Sequence, residues 1–184
     1  MGDERSGRAR AISQAKRLLT TLPRLTLPVP VDQLARATGA VLTYQAFDGD
    51  ISGVVIRKTE MSIIGVNSAH PATRQRFTVA HELGHLKLHE GEPLIIDKLV
   101  RVNLRRGTPS VPTDAVEREA NWFAAALLMP DDLVMREVRR LVPKPGPVSA
   151  DDLVARLAVT FAVSPQAMSF RLRELDVLTA FEHF

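Results

Sequence analysis

Residues 71–89 read PATRQRFTVAHELGHLKLH, with His81-Glu82-Leu83-Gly84-His85 near the centre. The pattern turns helical after Pro71 and stays helical through Leu88. Residues four apart on an α-helix share a face about one turn apart, so the two imidazoles can bind one tetrahedral metal ion. Glu82 can reach a metal-activated water without itself becoming a ligand, and can take its proton. The stretch therefore predicts a metal-dependent hydrolytic site on a helix.

Gly84 lies inside this predicted helix, where glycine costs about 1 kcal/mol relative to alanine. That cost is understandable if another backbone, or a substrate, approaches the helix closely at this point. The alternative interpretation is an amphipathic helix that carries incidental polar residues.

A catalytic metal site needs a third protein ligand beyond His81 and His85. The sequence favours Glu117, because Asn121 lies four residues further along the same helical face and its amide can orient a ligand histidine. Glu119 remains the alternative ligand, and the spacing of Asp114 and Glu117 is also compatible with a helix capping box. His89 is interpreted as a helix-end residue rather than a ligand.

The overall composition bounds the class of protein. The 184 residues are 45% hydrophobic and 24% charged, which suits one globular domain or one domain with a small appendage. With no cysteine, a disulfide framework is excluded and a metal must be held by His, Asp or Glu. No apolar run approaches the roughly 18 residues of a membrane helix, and no secretory signal is apparent. We expect a cytoplasmic protein without a membrane anchor.

Hydrophobic periodicity divides the chain into short strands and longer helices. Strands are predicted at 41–47, 51–57 and 62–66, with Asp48-Gly49-Asp50 as a hairpin turn between the first two. Helices are predicted at 9–22, 31–38, 72–88, 115–128, 131–141, 150–161 and 165–175, with a surface loop over 101–113. We expect an α+β fold with a small three-stranded, mostly antiparallel sheet. Residues 1–142 would form the core with its N-terminal helix, and residues 143–184 a two-helix segment packed on it.

Two blocks of the sequence together resemble the ImmA/IrrE family of metallopeptidases. They are RQRFTVAHELGH at 74–85 and EREANWFAAALLMP at 117–130. Gly53, the segment IGVN at 64–67 and parts of the C-terminal tail also fit, so the resemblance extends over most of the chain from about residue 29 to residue 178. It implies a gluzincin-like fold in which His81, His85 and Glu117 bind zinc and Glu82 is the catalytic base.

The resemblance also implies a substrate, because members of this family cleave a helix-turn-helix transcriptional repressor or relieve the repression that it causes. The predicted function is therefore that of a zinc metallo-endopeptidase acting on such a repressor. The alternative is a metal-binding regulatory protein that relieves repression by binding its partner without cleavage. Glu82 favours hydrolysis, because a purely structural metal site needs no adjacent base. Mn²⁺ or Fe²⁺ remain alternatives to Zn²⁺.

Three further features leave the mechanism open. The strand at 62–66, if it lies at the sheet edge, could pair with an extended substrate. Tyr44, His70 and His183 are candidates for stabilising the developing negative charge. The last two helices have the rhythm of a helix-turn-helix carrying Arg171 and Arg173, but they are interpreted as packing helices rather than as a DNA-binding element.

Overall fold

The computed structural model describes residues 2–59, 61–89, 94–98, 112–141 and 149–178. Its elements follow in chain order: α1 (Gly2–Leu19), α2 (Val31–Ala37), β1 (Ala40–Gln45), β2 (Ile51–Arg57), β3 (Ser62–Asn67), α3 (Ala72–Leu88), β4 (Leu94–Lys98), α4 (Pro112–Leu128), α5 (Asp131–Leu141), α6 (Ala150–Phe161) and α7 (Pro165–Glu174). The fold is therefore α+β, with a mixed sheet of four strands in the order β1-β3-β2-β4.

The sheet corrects the prediction of three mostly antiparallel strands. β1 pairs in parallel with β3, and β2 pairs antiparallel with both β3 and β4. The hairpin predicted at Asp48-Gly49-Asp50 is wrong, because β3 lies between β1 and β2. A turn sequence reports only local conformation, and Gly49 does adopt the positive φ of 68° that a turn favours. The actual hairpin joins β2 and β3, where the Lys58 amide donates to the Met61 carbonyl.

Burial explains which strand occupies the centre. Ile64 and Val66 of β3 are fully buried, whereas Val41 and Tyr44 of β1 are exposed, which suits an edge strand. Substrate pairing with this strand was expected only if it lay at the sheet edge, and that condition is not met, because β3 lies between β1 and β2. The sequence analysis also missed β4, since a run of only five residues gives little periodic signal.

The helices agree with the prediction better than the strands do. α3, α5 and α6 have the predicted bounds, and α2 and α7 differ by a residue. α1 begins and ends earlier than predicted, and the hydroxyl groups of Thr20 and Thr21 bond to the carbonyl oxygens of its last turn. α4 begins at Pro112, so the predicted loop is wrong at its C-terminal end; its other part, residues 101–111, lies outside the described residues.

Side chains from both ends of the chain share one hydrophobic core. Leu83 of α3 and Phe123 of α4 are fully buried in it, together with Leu157 of α6 and Leu172 of α7. The boundary predicted at 142/143 lies outside the described residues, so the division into two parts stays a prediction.

Two arginines attach the C-terminal helices to the rest of the fold. Arg171 of α7 is 3% exposed, donates to the Met129 carbonyl across 3.0 Å, and bonds to Asp131 and Glu174. Arg76 of α3 donates to the carbonyl oxygen of Ala162, in the turn between α6 and α7. These contacts order the turn and both helices against α3 and the start of α5.

Within the described parts of the chain, no single helix is long and apolar enough to span a bilayer. Only α6 and α7 taken together reach such length and hydropathy, and they bend by 109° at the break between them.

Asp131 generates a prediction about stability and pH. Burial raises the pKa of Asp131, but the Lys16 hydrogen bond and the charges of Lys16 and Arg171 outweigh it and lower the pKa below its usual 3.8. A depressed folded-state pKa contributes stability above the unfolded pKa, and that stability is lost as the pH falls through the folded value. We expect Asp131→Asn to lower the melting temperature at pH 7, with a difference from wild type that shrinks below about pH 4.

Asp132→Asn is the matched control in this thermal unfolding series. Asp132 is the exposed neighbour in the same first turn, so its substitution removes an equal charge from the N-terminus of α5. Equal shifts of the melting temperature for the two variants, at every pH, would contradict the specific role of Asp131.

Candidate metal centre

The close packing of α3 and α4 forms the site. A Cβ added at Gly84 of α3 would lie 3.0 Å from the Cα of Ala120 and 3.2 Å from its carbonyl oxygen. Of the two close approaches that the sequence left open at this glycine, a second backbone or a substrate, the structure shows the backbone of α4. A side chain at this position would have to move α4 by a few tenths of an ångström.

Three side chains from these two helices converge on one point. The Nε2 atoms of His81 and His85 lie 2.9 Å apart. Glu117 of α4 places Oε2 3.2 Å from His81 Nε2 and Oε1 3.5 Å from His85 Nε2. One donor atom from each residue lies within 4.8 Å of the others, and among the described residues these three form the group that could hold a metal ion.

The donor atoms fit a tetrahedral metal ion in spacing and in chemistry. Bonds of about 2.0 Å at a tetrahedral angle separate neighbouring ligand atoms by about 3.3 Å, close to the three distances observed. Both imidazoles are fully buried, whereas the Glu117 side chain is 38% exposed. Two ring nitrogens and a carboxylate would crowd their lone pairs together, and a cation relieves that crowding.

The protonation of these groups favours metal binding. His81 donates from Nδ1 to Oδ1 of Asn121 across 3.1 Å, which leaves the lone pair of Nε2 pointing at the site. The sequence predicted this role for the Asn121 amide. Burial lowers the pKa of His85, so its ring is neutral near pH 7. Burial raises the pKa of Glu117, but its bonds to the two histidines outweigh it and hold that pKa well below its usual range.

Glu82 lies beside this group and is held against the sheet. Its side chain is fully buried. A Cβ added at Gly53 of β2 would lie 2.4 Å from Oε1 of Glu82 and 2.5 Å from Cγ2 of Thr78. Gly53 therefore leaves the space that the Glu82 carboxylate occupies.

His89 and Glu119 bind each other instead of joining the three converging residues. His89 Nε2 lies 3.2 Å from Oε2 of Glu119, and His89 Nδ1 lies 3.2 Å from Nδ1 of His85. Glu119 also accepts from the guanidinium of Arg10 in α1. The sequence analysis missed these contacts with α1, because no local pattern links residues more than a hundred positions apart.

The structure describes two of the three candidates for charge stabilisation, Tyr44 and His70. Tyr44 donates to Asp32 of α2 across 2.8 Å, and burial together with this bond raises the pKa of Tyr44. His70 lies just before the N-terminus of α3, and about 14 Å of helix separates that N-terminus from His81. His183 lies outside the described residues.

Gly84→Ala tests the contact between α3 and α4. Alanine at an exposed helical position would stabilise the protein, but here its methyl group would meet the backbone of Ala120. We expect a loss of about 1–2 kcal/mol in the free energy of unfolding, measured by urea denaturation, and weaker metal binding as the histidines move away from Glu117. Lys87→Ala, at an exposed position of the same helix, is the control. A stabilised Gly84→Ala variant would show that the contact is not tight.

The chain is similar in sequence to known proteins. The family model for the IrrE N-terminal-like domain, Peptidase M78, matches residues 37–173, which include α3, α4 and the whole sheet. The chain is also 32% identical over 115 residues to the Radiation response metalloprotease IrrE of Deinococcus radiodurans. That alignment covers 62% of this chain but only 32% of the relative, so the chain corresponds to about a third of that protein.

The match to the family model covers most of the chain and contains both helices that bring His81, His85 and Glu117 together. The chain therefore belongs to the ImmA/IrrE family of metallopeptidases, Peptidase M78.

Proposed function

We propose that the protein is a zinc-dependent metallo-endopeptidase. The observation that carries this proposal is the convergence of His81, His85 and Glu117, with the fully buried Glu82 next to His81 in the sequence of α3. A gluzincin-like site has this composition: two histidines and a base on one helix, and a glutamate ligand on the next. Membership of a metallopeptidase family supports the same chemistry.

Zinc is the metal that suits this donor set. Two imidazole nitrogens and one carboxylate, with a further position open, make a typical catalytic zinc site. Such an ion would supply a Lewis acid for the scissile carbonyl and would lower the pKa of water. Mn²⁺ and Fe²⁺ accept similar ligands, so the activity should be compared after loading with each metal.

Glu82 is the general base in this proposal. Its carboxylate takes a proton from the attacking water and delivers it to the leaving amine. The backbone of Gly53 packs against one side of the Glu82 carboxylate and holds it in place. Asn121 keeps the His81 ring oriented through its hydrogen bond. The burial of Glu82 keeps bulk water away from its carboxylate.

The substrate in this proposal is a protein, and the resemblance favours a helix-turn-helix transcriptional repressor. An extended segment of it could pair with β4, the outermost described strand on the β2 side of the sheet. β4 pairs with β2 through Asp97 and Gly53, and Gly53 is the residue that faces Glu82. Leu94 and Ile96 of β4 are exposed and offer apolar surface.

The proposed partner is a protein in the cytoplasm and not DNA. A DNA-binding helix at α7 would use Arg171 and Arg173 to contact DNA. Arg171, however, is buried and hydrogen-bonded within the protein. α7 therefore uses that charge for packing rather than for contact with phosphates or bases.

The test is incubation of zinc-loaded protein with the repressor encoded nearest its gene, followed by mass spectrometry of the products. We expect discrete fragments from wild type. Glu82→Gln should yield none while retaining stoichiometric zinc, because the amide cannot take a proton. Removal of zinc by a chelator should stop cleavage, and zinc should restore it.

Gly53→Ala provides a second variant, in which a methyl group displaces the Glu82 carboxylate while leaving its chemistry intact. Cleavage should fall at unchanged zinc content. Fragments from Glu82→Gln at the wild-type rate would refute the role of the base. A stable complex without fragments would favour relief of repression by binding alone.

A further inference from the structure

Four side chains form a continuous chain of contacts from the metal centre to the N-terminal helix. His85 Nδ1 lies 3.2 Å from His89 Nδ1, and His89 Nε2 lies 3.2 Å from Glu119 Oε2. The same Glu119 oxygen accepts from Nη2 of Arg10. This series of contacts thus runs from the end of α3 to α4 and then to α1.

The donors and acceptors along this chain agree with a single proton arrangement. His85 must leave Nε2 unprotonated to bind a metal, so its proton sits on Nδ1 and is donated to Nδ1 of His89. The proton of His89 is then on Nε2, where Glu119 accepts it. Glu119 is anionic and is neutralised by Arg10. Each contact therefore supports the one tautomer of His85 that can be a ligand.

The surroundings hold this chain in place. The His89 side chain is 9% exposed and that of Glu119 18%, so water competes little for their hydrogen bonds. Arg57 of β2 donates to the carbonyl oxygens of His85 and His89, across 2.6 Å and 2.7 Å, and fixes the last turn of α3. α1 approaches so closely that a Cβ at Gly7 would overlap Oε1 of Glu119.

His89 does not suit the alternative role of an additional metal ligand. Nδ1 of His89 faces Nδ1 of His85, whereas a metal ion would bind Nε2, on the opposite side of the His85 ring. Its other nitrogen is occupied by Glu119.

We propose that His89, Glu119 and Arg10 are positioning residues that fix the orientation and tautomer of His85, and that α1 is thereby part of the metal centre. The inference rests on the proposed metal site at His81, His85 and Glu117. It assigns a role to Gly2–Leu19, a helix outside the residues 37–173 that match the family. Without α1, Glu119 would lose its cationic partner.

The test is the zinc affinity of the full-length protein, measured by competition with a chromophoric chelator, together with the visible spectrum of the Co²⁺-substituted form. His89→Phe keeps a ring of similar size without nitrogen atoms. We expect it to weaken zinc binding by about 10–100-fold and to shift the Co²⁺ bands, because the ligand field changes when the His85 ring turns. Arg10→Met should weaken zinc binding in the same direction but by less.

Arg8→Met is the matched control. Arg8 lies on the same helix and forms an ion pair with Glu174 of α7, so its loss perturbs the attachment of α1 without touching Glu119. We expect its zinc affinity and Co²⁺ spectrum to equal those of wild type. A loss as large as that of Arg10→Met would overturn the proposal, because any loosening of α1 would then suffice.

Glu119→Gln completes a double-mutant cycle with His89→Phe. The loss of affinity caused by Glu119→Gln should disappear in the His89→Phe background, since Glu119 acts only through His89. Additive losses of zinc affinity would overturn the proposed series of contacts from Arg10 to His85. If His89→Phe does not fold, as judged by circular dichroism, the nearly isosteric Glu119→Gln decides alone: unchanged affinity and spectrum would overturn the proposal.

His85→Ala separates failure of this inference from failure of the metal site itself. A wild type that binds no zinc, or a His85→Ala variant that binds as tightly as wild type, contradicts the proposed function. Loss of zinc in His85→Ala, with wild-type affinity and spectrum in His89→Phe, overturns only the positioning chain.

Discussion

The close contact of α3 with α4 at Gly84 and Ala120 is the constraint on which the rest of the structure depends. It brings Glu117, 32 residues beyond His85 in the sequence, within 3.5 Å of that ring. Side chains of ordinary size between the helices would separate their axes and move the carboxylate away. Phe123 and Leu83 fill the core beside this contact, so the candidate metal centre and the hydrophobic core share the same interface.

Polar groups in this interface cost free energy unless each has a partner. Here His81 is bonded to Asn121 and His85 to His89, and the chain ends on the ion pair of Glu119 with Arg10. Arg171 similarly satisfies the Met129 carbonyl at the end of α4. Helices that lie far from α3 in sequence are therefore linked to His81 and His85 by polar contacts, which require specific partners in a way that apolar packing does not.

The sequence predicted those features that depend on local pattern. The periodicity and the capping residues gave most helix bounds within a residue or two, and the i, i+4 spacing placed His81 with His85 and Glu117 with Asn121. Pairing between strands depends on long-range packing, so the Asp48-Gly49-Asp50 turn suggested a hairpin that does not form. The contact of Arg10 with Glu119 has no sequence signature, since it depends on how α1 lies across α4.

The most direct test of the account is the position of the metal. A crystal of the zinc-loaded protein, measured at the zinc absorption edge, gives an anomalous difference map that locates the ion without reference to any assumed role. The account predicts one strong peak about 2.0–2.2 Å from Nε2 of His81, Nε2 of His85 and an oxygen of Glu117, with Glu82 nearby but not bonded. A peak at other residues, or none in a fully loaded crystal, would contradict it.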